Sequence, residues 1–220
     1  MIQPSHGLRL LCISFLAAGA LMAVGAGAAQ AKGEFKIGGQ TLEKLGLKEE
    51  SVKAAGKTIS TSIPALSLVM VCTTQINDGG TVLRGGEYHV TYLLSSCTVI
   101  GCPGCHPQEP IVVKALGTML PISGKLYEVL KPSEVGQPYM TINFPEEEGG
   151  GLPEEIPLTG STAHAWGAGE SVEQTVTYSS EIEKLTSTGL SYLKNPASLS
   201  GETALSLSGA NKGKIWGVTE

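Results

Sequence analysis

Apolar and polar residues alternate along this chain in short runs. In Leu66–Cys72, the residues Leu66, Leu68, Met70 and Cys72 share one face, and Ser67, Val69 and Val71 share the other. A period of two is that of a β-strand. The valines on the second face predict a strand covered on both sides. Glu87–Leu94 alternates more cleanly, with Tyr88, Val90, Tyr92 and Leu94 set against Glu87, His89 and Thr91. The same signal predicts strands over Ile111–Leu116, Lys125–Leu130, Tyr139–Phe144, Val172–Tyr178, Leu199–Leu207 and Lys214–Val218. Only Thr41–Ala55 reads as a short helix, interrupted by Gly46, with a loop followed by a strand as the alternative.

Turn residues divide these runs. Asn77-Asp78-Gly79-Gly80 and Arg84-Gly85-Gly86 are predicted to reverse the chain, and Lys131-Pro132-Ser133 and Asn195-Pro196-Ala197 are further breaks. Pro145–Pro157 is an acidic, Gly/Pro-rich stretch that reads as an exposed loop. A loose echo recurs in Ile122-Ser123-Gly124, Leu158-Thr159-Gly160 and Leu199-Ser200-Gly201. Its uneven spacing is not that of a solenoid. It marks strand entries at which glycine allows a bulge or a close backbone approach. Short strands with regular punctuation predict an all-β fold: an antiparallel β-sandwich-like single domain over residues 32–220.

The first 31 residues follow another pattern. Arg9 precedes an uncharged apolar run, and Ala29-Gln30-Ala31 has the form of a signal-peptidase site. The reading is a secretory signal cleaved after Ala31, taking Cys12 with it, with an uncleaved membrane anchor as the alternative. No second long apolar run follows, so no membrane association is expected after cleavage. Of 15 basic residues Arg9 leaves with the leader, so 14 face 20 acidic ones, a net charge of −6. That balance, with lysines scattered singly, argues against nucleic-acid binding and against a polyanionic cell-wall partner.

The remaining cysteines are Cys72, Cys97, Cys102 and Cys105. An even number in an exported chain favours disulfides. Three pairings exist; 72–97 with 102–105 has a slight preference, because Pro103-Gly104 suits the centre of a type II turn with glycine at positive φ. Two other chemistries use the same residues. Cys102-Pro103-Gly104-Cys105-His106 has the letters of a c-type haem attachment site, with Cys102 and Cys105 for thioethers and His106 for the iron. Against it, Pro107 disfavours helical geometry at His106. Cys97, Cys102, Cys105 and His106 also make up a Cys₃His set for zinc. Haem attachment would also leave Cys72 and Cys97 as a second pair without explanation, and an oxidising compartment works against persistent zinc thiolates, so neither a metal nor a cofactor is expected.

Asp78 is the only aspartate, which excludes Asp-rich calcium loops. Glu146, Glu147, Glu148, Glu154 and Glu155 read as a solvated loop. Glu181 and Glu183, read as sharing a strand face, lie near Glu170 and Glu173 in sequence; such pairs suggest a glycoside-acting enzyme only weakly. There is no GxSxG, HExxH, Walker or GxGxxG motif. His89 reads as exposed, and His164, Trp166 and Trp216 as core.

The chain resembles a paralogous group of secreted β-rich proteins from high-GC soil actinobacteria. The likeness rests on the leader, on "GEFKIGGQTL", on the strand ending in Cys72, on "YHVTYLLSSC" ending at Cys97, and on "PASLSGETALSLSGANKGKIWGV". A later cysteine associated with that pattern is missing here. The resemblance implies export and a β fold, and it transfers no catalytic residue. The resulting expectation is a secreted or cell-surface structural or binding module, non-enzymatic, with a cell-surface or glycan partner in view. A haem electron carrier and a Glu-based glycoside enzyme are the alternatives.

Overall fold

The structure is a computed structural model describing residues 33–146 and 150–219. The leader, its cleavage point, Cys12, Glu147 and Glu148 lie outside the described residues. The elements in chain order are β1 (Glu34–Ile37), β2 (Gln40–Thr41), β3 (Glu49–Ile63), β4 (Leu68–Leu83), β5 (Glu87–Ile100), β6 (Ile111–Ile122) and β7 (Lys125–Pro132). There follow β8 (Met140–Asn143), β9 (Glu155–Trp166), β10 (Glu173–Tyr178), α1 (Ser180–Thr186), β11 (Gly189–Tyr192), β12 (Asn195–Leu207) and β13 (Trp216–Thr219).

The fold is all-β and antiparallel. β3 to β7 form a meander, β9 pairs with β7, β10 with β9, and β12 with β10. β12 then pairs back onto β3, from Ser198↔Ser62 to Leu207↔Val52. The sheet therefore closes into a barrel with eight wall positions: β3, β4, β5, β6, β7, β9, β10 and β12. The two layers anticipated from the alternation are opposite walls of this one sheet. Closure removes the exposed edges that an open sandwich must protect. β8 continues the wall position of β7 along β9, and β11 occupies the stretch between β9 and β12 beyond β10.

Alternation places the core. Tyr88, Val90, Tyr92 and Leu94 of β5 and Ile111, Val113 and Ala115 of β6 point inward and are buried. Outward positions of β3 carry Glu49, Ser51, Lys53 and Lys57, and Lys57 pairs with Glu202 of β12 at 2.9 Å. This order, apolar within and polar without, is the reverse of a barrel that crosses a membrane with its strands. No described helix is long and apolar enough to cross one. A second sheet, β13-β1-β2, sets Phe35 and Trp216 against Trp166, with ring centroids at 5.6 and 5.7 Å.

Several local expectations change in this context. Thr41–Ala55 is a looped turn and then strand β3, because Val52 and Ala54 alternate into the barrel between ladders from β4 and β12. Helix-friendly composition yields to pairing on both sides. Asn77-Asp78-Gly79-Gly80 is not a turn. β4 runs through it, and the register shifts at Gly79, φ 150°, as a bulge. Arg84-Gly85-Gly86 does reverse the chain. The outer face of Leu66–Cys72 is only half covered, since Val69 and Val71 face outward from the barrel. Glu181 and Glu183 lie on α1, capped by Ser179, whose hydroxyl accepts the Ile182 N–H at 3.3 Å.

Two of the three recurring glycines meet one demand, while Gly124 sits at φ +73° in the turn between β6 and β7 with open space around it. A side chain at Gly160 would strike the carbonyl of Gly189, and one at Gly201 that of Thr58; Gly201 also sits at a register shift. Cys72 and Cys97 are direct cross-strand partners at disulfide distance. Replacing both by alanine is expected to lower stability by about 2–4 kcal/mol. The check is a urea midpoint that falls while the slope rises, because the uncrosslinked unfolded chain exposes more surface.

Candidate functional site: a cleft beside the cysteine loop

The barrel interior is full. Beside Tyr92, Tyr139, Tyr178 and Leu199 the free space is about 10 Å³, room for one water at most. Its polar centre is Glu128 of β7 opposite His164 of β9, with Oε2 and Nε2 2.7 Å apart and both side chains fully buried. The contact is an ion-pair approach rather than a well-aligned hydrogen bond. Gly117 on β6 makes the space, because a Cβ there would collide with the Glu128 carboxyl. His164 packs edge-on against Trp166 and Tyr178, with centroids at 5.5 and 5.0 Å. Burial raises the Glu128 carboxyl above its usual range, opposed by His164 and the Trp166 indole. Burial likewise pushes the Tyr92, Tyr139 and Tyr178 hydroxyls well up. A pair sealed in this way holds a proton but offers a substrate no approach.

The outer wall carries the open feature. A cleft of about 640 Å³ lies between the start of β6 and β8, under the loop joining β7 to β8. Its lining includes Gln108, Pro110, Val112, Lys114, Gln137 and Thr141. No motif in the chain marks this place. Sequence reasoning also passed over Glu109, whose carboxylate accepts the backbone N–H groups of Ser96 and Cys97, both at 2.6 Å. Ser96 has φ +52°, so the two amides converge as an anion-binding concavity. Glu109 thereby ties the cleft to the cysteine loop, and the Gln108 N–H bonds the Asn143 carbonyl at 2.7 Å across its base.

Cys102 and Cys105 are at disulfide distance, with the Cys105 N–H donating to the Cys102 carbonyl at 3.0 Å. The turn is present, but positive φ falls at Gly101 and not at Gly104 as a type II turn requires. Cys105 is buried and Cys102 half-buried, while His106 is exposed. Gly150 lies over both sulfurs, so that a side chain there would strike them. Haem needs both thiols free, so this arrangement does not fit it. Zinc needs three thiolates, whereas Cys97 is paired with Cys72. Among the described residues no group of three His, Cys, Asp or Glu side chains converges on a metal position.

The glutamates considered for glycoside chemistry are dispersed. Glu170 accepts the Gly39 N–H at 2.8 Å. Glu183 is buried and accepts the Thr162 hydroxyl at 3.0 Å, its carboxyl raised by burial. Glu181 stands exposed at the start of α1 and Glu173 opens β10. His89 is exposed, Trp216 is fully buried and Trp166 half-buried. No protein-family model, curated protein or solved structure matches this chain.

His164→Leu is expected to leave the Glu128 carboxyl buried without its partner, costing roughly 3–5 kcal/mol at neutral pH. A carboxyl whose folded pKa lies above its unfolded value stabilises below the unfolded value. That contribution is lost as pH rises through the folded pKa. The deficit of the variant should therefore shrink on acidification toward the ordinary carboxylate range. Denaturant titrations at neutral and mildly acidic pH read this directly.

Proposed function

We propose that this protein is an exported, non-enzymatic binding module that works through the cleft between β6 and β8. The observation carrying this reading is the contrast between a filled barrel and an open outer cleft. A barrel that binds small molecules needs an interior cavity. Here that interior is spent on Tyr92, Tyr178, Glu128 and His164.

Further support comes from the sulfurs. Two pairs at disulfide distance fit an oxidising compartment, in keeping with the secretory leader and with the likeness to exported actinobacterial proteins. One bridge staples β4 to β5 and the other closes a loop against the cleft. Both are structural uses of cysteine. The polar pair inside the barrel is likewise cut off from solvent, Glu109 and Glu170 accept backbone N–H groups, and Glu183 accepts the Thr162 hydroxyl.

The test is a binding screen of the full chain against a glycan array and a linear peptide library, alongside Thr141→Trp. Tryptophan at this half-buried outward position should fill the cleft while leaving the thermal midpoint near that of the parent. Ligands retained by the parent should be lost by the variant. Binding that ignores Thr141→Trp, no ligand from either library, or turnover of chromogenic glycosides would overturn the proposal.

A further inference from the structure

Both cysteine pairs brace the folded chain while closed, but they differ in access and in what their opening costs. Cys72 is 1% exposed and sits between ladders from β3 and β5, opposite Ile59 and Cys97. Its partner lies 25 positions away in sequence, whereas Cys102 and Cys105 are 3 apart. The constraint that a disulfide places on the unfolded chain grows with the loop it closes. The long bridge therefore adds more to the stability of the barrel than the short one. Residues 101–110 belong to no strand, so opening Cys102–Cys105 breaks no ladder.

The two sulfurs of the short pair are unequal. Cys102 is half-buried among exposed Gly101, Pro103 and Gly104, whereas Cys105 is 2% exposed. Gly150 lies over both sulfurs and brings no side chain to shield them. Exchange proceeds by attack of a thiolate on one sulfur of a disulfide, and the other sulfur leaves. Access directs the attack to Cys102 and makes Cys105 the leaving sulfur. The turn has hydrogen bonds of its own that do not depend on the sulfurs. The Cys102 N–H donates to the Val99 carbonyl at 3.4 Å, and the Cys105 N–H to the Cys102 carbonyl at 3.0 Å. The two Cα atoms are 5.3 Å apart, within the span of a disulfide. Opened thiols thus stay placed to close again. The Cys-x-x-Cys spacing also lowers a thiol's pKa, which supplies a thiolate for the return step.

We infer that Cys102–Cys105 is a reversible thiol–disulfide exchange site, worked by a dithiol, while Cys72–Cys97 stays closed. The first donor thiol gives up its proton and attacks Sγ of Cys102. A mixed disulfide forms, and Cys105 leaves as a thiolate and takes up a proton. The second donor thiol then gives up its proton and attacks the donor sulfur of the mixed disulfide. Cys102 leaves as a thiolate and is protonated in turn. The donor ends as a disulfide and the protein as a dithiol, two electrons and two protons having crossed. The reverse sequence restores the bridge.

The experiment holds the oxidised protein at neutral pH in graded ratios of reduced to oxidised dithiothreitol. Free thiols are then alkylated and located by peptide mass mapping. Cys102 and Cys105 are expected to open at a ratio about tenfold or more below the one that opens Cys72 and Cys97. Near-ultraviolet circular dichroism and thermal melting should show the barrel intact at that stage, and excess oxidised dithiothreitol should restore the bridge. Cys105→Ser and Cys102→Ser locate the attacked sulfur. With oxidised glutathione, Cys102 in the first variant should form a mixed disulfide about tenfold faster than Cys105 in the second. Should either variant melt early, the titration of the parent decides alone. Opening of Cys72–Cys97 first, of both pairs together, or of neither before the barrel melts overturns the inference. So do equal rates in two folded serine variants, or a short pair that opens and does not close again.

Discussion

The ladder between β12 and β3 determines the shape of the barrel. It joins segments far apart in sequence, from Val52 with Leu207 to Ser62 with Ser198. Without it the sheet would end in two long edges, each a row of unpaired amides and carbonyls. With it every inward side chain of one wall meets the inward side chains of the opposite wall. A closed barrel with eight wall positions is just wide enough for side chains to fill its interior. The glycines at 160 and 201 serve this closure, because each lets a neighbouring backbone come closer than any side chain would permit.

Filling such a barrel sets a rule for polar groups inside it. A buried carboxylate has to be paired or neutral. Glu128 meets the rule with His164 directly across the strand pair, under a notch left by Gly117. Trp166, Tyr178 and Trp216 wall this pair off from solvent, and Phe35 of the small sheet packs on the two tryptophans. The arrangement resembles a catalytic dyad in composition and differs from one in access. Its role follows from enclosure: a cross-strand polar contact that fixes the register of β7 on β9, since a slip of one residue would turn Glu128 and His164 outward.

The wall is incomplete in one respect. Between β7 and β8 the chain leaves the sheet through Ser133–Tyr139, and β8 resumes beside β9 without regaining a ladder to β6. Prolines at 110, 132 and 138 border the gap. The Glu109 carboxylate, bound to the amides of Ser96 and Cys97, anchors one lip to the cysteine-bearing end of β5. The second cysteine pair and Gly150 are packed together next to that anchor. The cysteine segment thus packs beside the cleft and is tied to its lip through Glu109.

Much of this was legible in the chain itself. Alternation at Glu87–Leu94 and Ile111–Leu116 identified the inward faces, because a half-buried strand must alternate. Trp216 and His164 read as core and are core. Other features were misread for physical reasons. Thr41–Ala55 has helix-forming residues, yet two neighbouring strands override that preference over its second half. Asn77–Gly80 has turn residues, yet ladders on both sides carry β4 straight through them as a bulge. The brief helix α1 was hidden because Glu181 and Glu183 also fit a strand period over so few residues. Closure, the Glu128–His164 contact and the cleft left no local trace. Each arises between residues distant in sequence, whereas periodicity reports only which way a side chain faces and is silent on what stands opposite.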